Sequence, residues 1–146
     1  MKNITKKLVI ILGPTASGKT SLSIDIAQKL NTEILSCDSR QFYKELKIGS
    51  APPSKAELNL VKHHFIQHLS INQDYSIGQF ESDAIKKITE LFNNHDKLIL
   101  VGGSGLYIDA ICYGIDNIPN TPKEIRDKIN YDYKQKGLVW LQNIVQ

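Results

Sequence analysis

The sequence is poor in several features that would narrow its function at once. Only two of its 18 basic residues are arginines, Arg40 and Arg126, and no basic run exceeds a pair of lysines. Because 15 acidic residues offset the basic ones, the net charge is only +3, which permits an anionic partner without pointing to one. The content of 41% hydrophobic and 23% charged residues is typical of a globular domain and excludes a disordered chain.

Cysteines and long apolar runs are also scarce. Cys37 and Cys112 lack the paired spacing of a metal site, and the five apolar residues after the N-terminal lysines are too few for a signal peptide or a membrane span. We therefore expect a cytoplasmic protein in a reducing environment, with no membrane segment.

Three segments have the pattern of buried strands. "KLVIIL" (7–12), "EILSCD" (33–38) and "DKLILVGG" (96–103) are short, aliphatic and ended by a glycine or an acid. Helical patterns lie between them, and the apolar positions expected to face the sheet are Leu22, Ile26 and Leu30 in the first helix and Phe80, Ala84, Ile88 and Leu91 in a later one. The alternation predicts an α/β fold with at least three parallel strands.

Helix starts are marked by three pairs with capping-box spacing. These pairs are Ser54 with Glu57, Ser76 with Gln79, and Thr121 with Glu124, the last with Pro122 in the first turn. The last segment, "KEIRDKINYDYKQKGLVWLQNIVQ", is helical in pattern and contains no further strand. Its apolar stripe runs to the final residue through Leu138, Leu141, Ile144 and Val145. Since chains seldom end on such a stripe, we expect a fragment of a longer protein.

One stretch carries a specific chemical motif. "GPTASGKT" lies between the first predicted strand and helix and matches G-x-x-x-x-G-K-[ST] in full. Such a loop turns backbone N–H groups towards phosphate oxygens, its lysine reaches the terminal phosphates, and its last hydroxyl ligates Mg²⁺. The predicted phosphate-binding residues are Gly13, Pro14, Thr15, Ala16, Ser17, Gly18, Lys19 and Thr20, with Thr20 the Mg²⁺ ligand. The expected fold is therefore a P-loop NTPase-like parallel sheet flanked by helices.

The motif leaves the reaction open. A phosphoryl-transfer enzyme also needs an acid at the end of a neighbouring strand and usually arginines around the transferred group. Here "LILVGG" ends in glycines, and the acid-terminated strand ends at Asp38, beside Arg40 and Gln41. Asp38 could be a metal ligand or a general base in the crevice where parallel strands end, or it could only cap a turn and pair with Arg40.

A family resemblance bears on these alternatives. "GPTASGKT", "DSRQFYKELKIGSAPPS", "HHF", "YSIGQFESDA" and "VGGSGLYIDAICYGI" occur in the order and spacing of the tRNA dimethylallyltransferases, over about residues 8–126. The resemblance implies transfer of a dimethylallyl group from dimethylallyl diphosphate to the exocyclic amine of the adenine 3′ to the anticodon in tRNA. The phosphate loop would then hold the donor diphosphate with Mg²⁺, and no phosphoryl group would move.

The resemblance also assigns roles to individual residues. Asp38 would be the base that takes the amine proton, and the tRNA contacts would be Asp38, Ser39, Arg40, Gln41, Ser104 and Arg126. "GGSGLY" stands here for the usual "GGTGLY", so Ser104 keeps the hydroxyl of the expected threonine without its methyl group. Residues 1–118 would form the P-loop core, and 119–146 would begin a helical insertion that clasps the anticodon stem-loop.

Family members are about twice as long as this chain, so we expect weak or no activity from the chain alone. A monomer is expected. The alternatives are an adenylate isopentenyltransferase acting on free AMP, a P-loop small-molecule or nucleotide kinase with ATP as donor, and a nucleotide-dependent RNA-binding module. His63, His64 and His68 suggest local structural or substrate-lining roles more than a metal site, and the tyrosines are assigned no role.

Overall fold

The structure is a computed structural model that describes residues 5–116 and 121–145. Contacts along the chain separate two compact units after Ile115. The boundary predicted between residues 118 and 119 lies outside the described residues.

The first unit is a parallel sheet with helices on both faces. Its elements in chain order are β1 (Lys7–Leu12), α1 (Lys19–Leu30), β2 (Ile34–Ser36), α2 (Lys55–Leu60), β3 (His63–His64), α3 (Ile77–Leu91), β4 (Lys97–Gly102) and α4 (Gly105–Tyr113). The four strands are parallel and lie in the order β1-β4-β2-β3. This arrangement confirms the predicted parallel α/β sheet and adds the two-residue strand β3, which is too short for the pattern to predict.

Two apolar clusters hold the helices against the sheet. On one face, Ile24 and Ala27 of α1 pack with Ile34, Val61 and Ile99. On the other face, the predicted apolar residues of α3 are all buried and pack with β2, β4 and α4; they are Phe80, Ala84, Ile88 and Leu91. The sheet is therefore covered on both sides, as a parallel sheet requires.

The predicted apolar stripe of α1 is correct only in part. Ile26 packs against the cluster and Leu30 is half-buried, but the fully buried residues are Ser23, Ile24 and Ala27, and Leu22 is 50% exposed. Small side chains at 23 and 27 let the helix lie close to β4 and β2, so the buried face is centred on them and Leu22 lies outside it. Spacing of large residues therefore predicted the helix but only part of its buried face.

Strand β1 was expected to be buried and is only partly so, since three of its six residues are half-buried and pack against the two apolar clusters. Ile10 and Leu12 are 40% and 58% exposed, and Lys7 is also exposed. In the described sheet β1 pairs only with β4, so it lies at an edge where packing is incomplete. The central strand β4 has Leu98, Ile99 and Leu100 fully buried, which shows how position in the sheet controls burial.

Two of the three predicted capping boxes are present. Ser54 caps α2 and Ser76 caps α3, each with the reciprocal side-chain bond from the residue three positions later. The third is wrong: helix α5 (Lys123–Ile144) has Pro122 at its N-cap and no side-chain cap bond. Since Pro122 occupies the cap itself, Thr121 lies one residue too early to act as the cap.

The second unit contains the predicted C-terminal helix, α5. Its backbone leaves the helical region at Gly137, where φ is 75° and ψ is −173°. This conformation is accessible to glycine and costly for residues with a Cβ atom, so the helix is two segments joined at that position. Leu138 and Ile144 of the predicted stripe are exposed.

Candidate diphosphate and acceptor site

The site begins where three neighbouring strands end. β1 leads into the phosphate loop (residues 13–20), β2 leads to Asp38, and β4 ends at Gly102. Because all the strands are parallel, their carboxyl ends meet at one edge of the sheet, which is the usual ligand crevice of such folds.

The phosphate loop leaves the start of α1 open. Its N-cap is Gly18, in the left-handed region with φ of 82°, and no side chain caps the helix. In contrast, α2 and α3 begin with serine caps that occupy their first N–H groups. The uncapped N–H groups and the positive end of the helix dipole make α1 suited to bind an anion.

Within the loop, two side chains donate hydrogen bonds to the same carbonyl oxygen. Lys19 Nζ donates to the Pro14 carbonyl oxygen at 2.5 Å, and Ser17 Oγ donates to the same oxygen at 2.8 Å. Ala16 also takes a positive φ, 63°, which helps the loop curl. The lysine charge is thereby held against the loop, where an oligophosphate would be bound.

Asp38 combines a structural and an available oxygen. Oδ1 accepts a hydrogen bond from the Arg40 backbone N–H at 3.0 Å, so the carboxylate caps the turn after β2. The turn-cap interpretation is therefore correct in part, although no ion pair between Asp38 and Arg40 is found among the described residues. The carboxylate also lines the cavity beside the loop, which leaves Oδ2 available to a ligand.

The thiol of the neighbouring Cys37 is not suited to act as a nucleophile. It is fully buried, and burial, followed by the nearby Asp38 charge, raises the pKa of its thiol to about 12. A thiol that stays protonated at neutral pH is not a nucleophile. Cys37 instead packs in the apolar cluster of β2, α3 and α4.

Gly102 lets the strand ends approach each other closely. A Cβ atom at this position would lie 2.0 Å from the carbonyl oxygen of Cys37. In a phosphoryl-transfer enzyme an acid would be expected at the end of β4. Here close packing of the two strand ends explains why a glycine occupies that place. This glycine allows β2 to carry Asp38 right against the end of β4.

Several predicted site residues are joined directly. The backbone N–H of Ser39 donates to Ser104 Oγ at 3.2 Å, and the two hydroxyls lie 3.3 Å apart. This links the turn after β2 to the N-terminus of α4, and neither serine lines the cavity. Arg40 is exposed beside them, whereas Arg126 is exposed on α5 in the second unit.

Gln41 is anchored in the wall of the cavity. Its Nε2 donates to the carbonyl oxygens of Ser50 and Ala51 at 3.1 and 3.2 Å, and its Oε1 accepts from Ser36 Oγ at 3.1 Å. These bonds hold residues 50–51 against the end of β2. Its predicted contact with tRNA stays a prediction.

The cavity that these elements enclose has a volume of about 310 Å³. Of the predicted residues, those lining it are Thr15, Ala16, Ser17, Gly18, Lys19, Thr20, Asp38 and Gln41. Gly13 and Pro14 shape the loop without lining the cavity. Other lining residues, which the sequence patterns did not indicate, include Ser23, Ser36, Ser50 and Glu57. His63, expected in a local structural or substrate-lining role, also lines the cavity.

Glu57 and His63 bring titratable groups to this cavity. The Ser54 backbone N–H and hydroxyl bind Glu57 Oε2, both at 2.7 Å, and these bonds lower the pKa of the carboxyl. Burial lowers the pKa of His63, whose Nδ1 lies 2.8 Å from the Val61 carbonyl oxygen. The neighbouring His64 does not line the cavity and binds Glu33 instead, at 2.5 Å.

The residues present fit a magnesium ion that brings its own water. No group of three His, Cys, Asp or Glu side chains placed to hold a metal occurs within residues 5–116 and 121–145. The Thr20 hydroxyl and the Asp38 carboxylate are hard oxygen donors, and Mg²⁺ commonly binds through one or two such groups, ligand phosphates and waters.

No helix within residues 5–116 and 121–145 is both long and apolar enough to cross a membrane.

Fold and site together define a P-loop α/β protein with an acid beside its phosphate loop. Comparison with known proteins then identifies its group. The sequence model described as IPP transferase matches residues 41–146. The chain therefore belongs to the IPP transferase family, as the motif order predicted.

Individual relatives agree. The chain is 56% identical over 135 residues to a tRNA dimethylallyltransferase of Christiangramia forsetii and 52% identical over 139 residues to that of Flavobacterium psychrophilum. The matches cover 92% and 95% of this chain but 45% of each relative, so the chain spans about half the length of these relatives.

Solved structures show the same fold. The full-length tRNA isopentenylpyrophosphate transferase of Bacillus halodurans matches with a TM-score of 0.74 and 32% identity, covering 97% of this chain and 47% of that one. A eukaryotic dimethylallyltransferase described as acting on tRNA matches with a TM-score of 0.70 and 29% identity, covering 82% and 29%.

Proposed function

We propose that this chain carries the donor site and the catalytic acid–base residue of an enzyme that transfers a dimethylallyl group from dimethylallyl diphosphate to tRNA. The acceptor would be the exocyclic amine of the adenine 3′ to the anticodon. The proposal rests on one observation: Asp38 lines the same cavity as the phosphate loop, whose following helix α1 has no side-chain cap. The chain also belongs to the IPP transferase family.

The chemistry follows from the two halves of this cavity. The adenine amine attacks the allylic carbon, the bond from that carbon to the diphosphate oxygen breaks, and the diphosphate leaves with the electron pair. Asp38 accepts the proton that the amine loses. Lys19 and the open N–H groups of α1 stabilise the negative charge that grows on the leaving diphosphate.

Mg²⁺ is the proposed cofactor, with Thr20 as its protein ligand. When bound, it neutralises charge on the diphosphate and so makes it a better leaving group. The chain has only two arginines, which is consistent with a role for Mg²⁺. One lysine, backbone N–H groups and a divalent cation can together neutralise the charge of the diphosphate.

The tRNA contacts are proposed for residues on the outer side of the site. Exposed Arg40 can reach a phosphate or a base edge, and Ser39 and Ser104 offer hydroxyls where the turn after β2 meets α4. Gln41 lies closer to the cavity, and Arg126 would act from α5. The target adenine must leave its stack to meet Asp38, as enzymes that modify a base generally require.

Three finer assignments complete the proposal. Residues 119–146 begin the helical part that clasps the anticodon stem-loop, the enzyme is a monomer, and it works in the cytoplasm. Each would be tested by its own measurement, the first by footprinting the RNA in the presence of the protein.

The experiment that tests the activity uses the complete gene product with dimethylallyl diphosphate, Mg²⁺ and unmodified tRNA. We expect prenylated adenosine in nuclease digests of the tRNA, detected by mass spectrometry. Free AMP serves as the competing acceptor, and preferential prenylation of AMP would favour the adenylate isopentenyltransferase alternative. Absence of prenyl-adenosine together with phosphorylation of an added acceptor by ATP would overturn the proposal in favour of a kinase.

A further inference from the structure

The cavity beside the phosphate loop, here called the donor cavity, also has an apolar part. In the described part of the chain, the apolar side chains that line it outside the loop are those of Ala51, Pro53, Ile66 and Val101. These side chains cannot hydrogen-bond to phosphate oxygens, so a diphosphate on the loop does not account for them. The dimethylallyl group of the proposed donor is apolar and is bonded to that diphosphate. It must therefore lie in the same cavity, where contact with apolar side chains removes it from water.

Ile66 is the largest of these four side chains and lies at a boundary. It is half-buried, and it lines both the donor cavity and a neighbouring groove of about 610 Å³. His63 lines both as well. The wall between the donor cavity and the groove is therefore formed by Ile66 and His63. The other residues that line the groove are Leu58, Asn59, Lys62 and Gln67.

The backbone on both sides of Ile66 is fixed by its surroundings. Phe65 and Gln67 have positive φ values of 62° and 48°, a conformation that is costly for residues with a Cβ atom and persists only where other contacts enforce it. The Phe65 ring packs edge-on against Phe80, with 5.5 Å between the ring centroids. The Gln67 N–H donates to the Gln41 carbonyl oxygen at 2.7 Å. Ile66 is thus held between two anchored neighbours.

Hydrogen bonds connect this segment to the turn that carries Asp38. The Gln41 N–H donates to the Asp38 carbonyl oxygen at 3.0 Å, and the Gln41 carbonyl oxygen in turn accepts from Gln67, the residue after Ile66. Two backbone hydrogen bonds therefore join the proposed base to the neighbour of Ile66. A prenyl group whose reacting carbon faces Asp38 shares one cavity with the Ile66 side chain.

We propose that Ile66 limits the prenyl donor to five carbons. Its side chain, together with His63, ends the donor cavity on the side of the groove, so a dimethylallyl group fits and a ten-carbon geranyl group does not. Shortening the side chain at position 66 opens the donor cavity to the groove and gives the longer chain room. Ile66 is then a residue that determines donor specificity. The inference rests on the proposed function and adds a residue that the family resemblance did not name.

The test compares two donors, dimethylallyl diphosphate and geranyl diphosphate, in the complete gene product with unmodified tRNA and Mg²⁺. The measured quantity is the ratio of their kcat/KM values, and mass spectrometry of nuclease digests distinguishes the two prenylated adenosines. In the unchanged enzyme we expect the ratio to favour dimethylallyl diphosphate. In Ile66→Ala the ratio should fall by about tenfold or more, because a pocket discriminates by at least that factor for a methylene group that it cannot accommodate.

Two further variants control for folding and for side-chain loss in general. Ile66→Val removes a single carbon and should give a smaller fall in the ratio, and it carries the test if Ile66→Ala does not fold by circular dichroism. Ile71→Ala makes the same change at a side chain that is 56% exposed and lines neither the donor cavity nor the groove. It should leave the ratio unchanged.

Three results would overturn the inference while leaving the proposed function in place. One is a ratio that does not change in either Ile66 variant. Another is equal use of the two donors by the unchanged enzyme. The third is an unchanged ratio combined with a raised KM for tRNA in Ile66→Ala, which would assign this side chain to the acceptor base instead of the prenyl group. No prenylation from either donor by the unchanged enzyme would refute the proposed function itself.

Discussion

The two halves of the cavity differ in how the chain encodes them. The phosphate loop is eight consecutive residues, and its expected phosphate donors are backbone N–H groups and one lysine. The other half of the cavity wall comes from α1, β2, the loop at residue 50 and β3, and its residues Ser23, Ser36, Ser50 and His63 are up to 40 positions apart. A binding loop formed by consecutive residues can be recognised as a sequence motif. Side chains that strand pairing brings together from distant positions form no such motif.

The halves also differ in hydrogen-bond polarity. The loop presents donors, because Gly18 provides no cap for α1. The buried serines of the other half, Ser23, Ser36 and Ser50, instead donate their hydroxyl hydrogens to oxygens within the protein. The loop half of the cavity is therefore the half suited to an anion.

The largest expected effect separates catalysis from binding. Asp38→Ala in the complete gene product should reduce the prenylation rate by about 10²–10⁴-fold, because a general base typically contributes that much. Pyrophosphate affinity should be nearly unchanged, since the loop residues are untouched. Asp38→Asn is the matched control for structure, because its side-chain oxygen can still accept from the Arg40 N–H. More than half the activity in Asp38→Ala would contradict the role.

The next effect tests the contact where the two halves meet. Gly102→Ala would place a Cβ atom 2.0 Å from the Cys37 carbonyl oxygen, so β2 and β4 must move apart at the point that positions Asp38. We expect a loss of about 1–3 kcal/mol or more in the free energy of unfolding, measured by urea denaturation. Gly105→Ala is the control, because a Cβ atom there meets no atom within 4 Å. Equal stability of the two variants would mean that this close approach is not needed.

A smaller effect is expected at the loop lysine. Lys19→Ala removes the charge that faces the diphosphate, and hydrogen bonds to charged groups contribute about 1.5–3 kcal/mol, so pyrophosphate should bind about 10- to 100-fold more weakly. KM for the prenyl donor should rise accordingly. Lys29→Ala, in the last turn of α1, removes the same charge far from the loop and should bind normally. Unchanged affinity in Lys19→Ala, measured by calorimetry, would show that the loop does not hold the diphosphate.

Local patterns predicted much of this molecule, and packing decided the rest. The order of strands and helices, the loop between β1 and α1 and the buried face of α3 follow from residue patterns and are confirmed. The buried face of α1 was predicted only in part, because Ser23 and Ala27 are buried for their small size and a hydrophobic pattern gives weight to Leu22. His63 was named only as a possible lining residue, because its burial depends on pairing with Ile34, which lies 29 residues earlier in the chain.

The smallest expected effects concern two capping patterns that look alike in sequence. Ser76 accepts a hydrogen bond from the Gln79 N–H and caps α3, whose apolar face is part of the core. Ser76→Ala should therefore lower the free energy of unfolding by about 1 kcal/mol. Thr121 has the same spacing to Glu124, yet α5 starts from Pro122 without a side-chain cap.

Thr121→Ala should accordingly change the free energy of unfolding by less than about 0.5 kcal/mol, as is usual for an exposed residue without a specific contact. Urea denaturation of the two variants, followed by circular dichroism, compares them directly. A loss in Thr121→Ala as large as that in Ser76→Ala would mean that the threonine does cap α5. The capping pattern would then be a reliable guide at all three helix starts, and the proline would have to sit in the first turn as the sequence predicted.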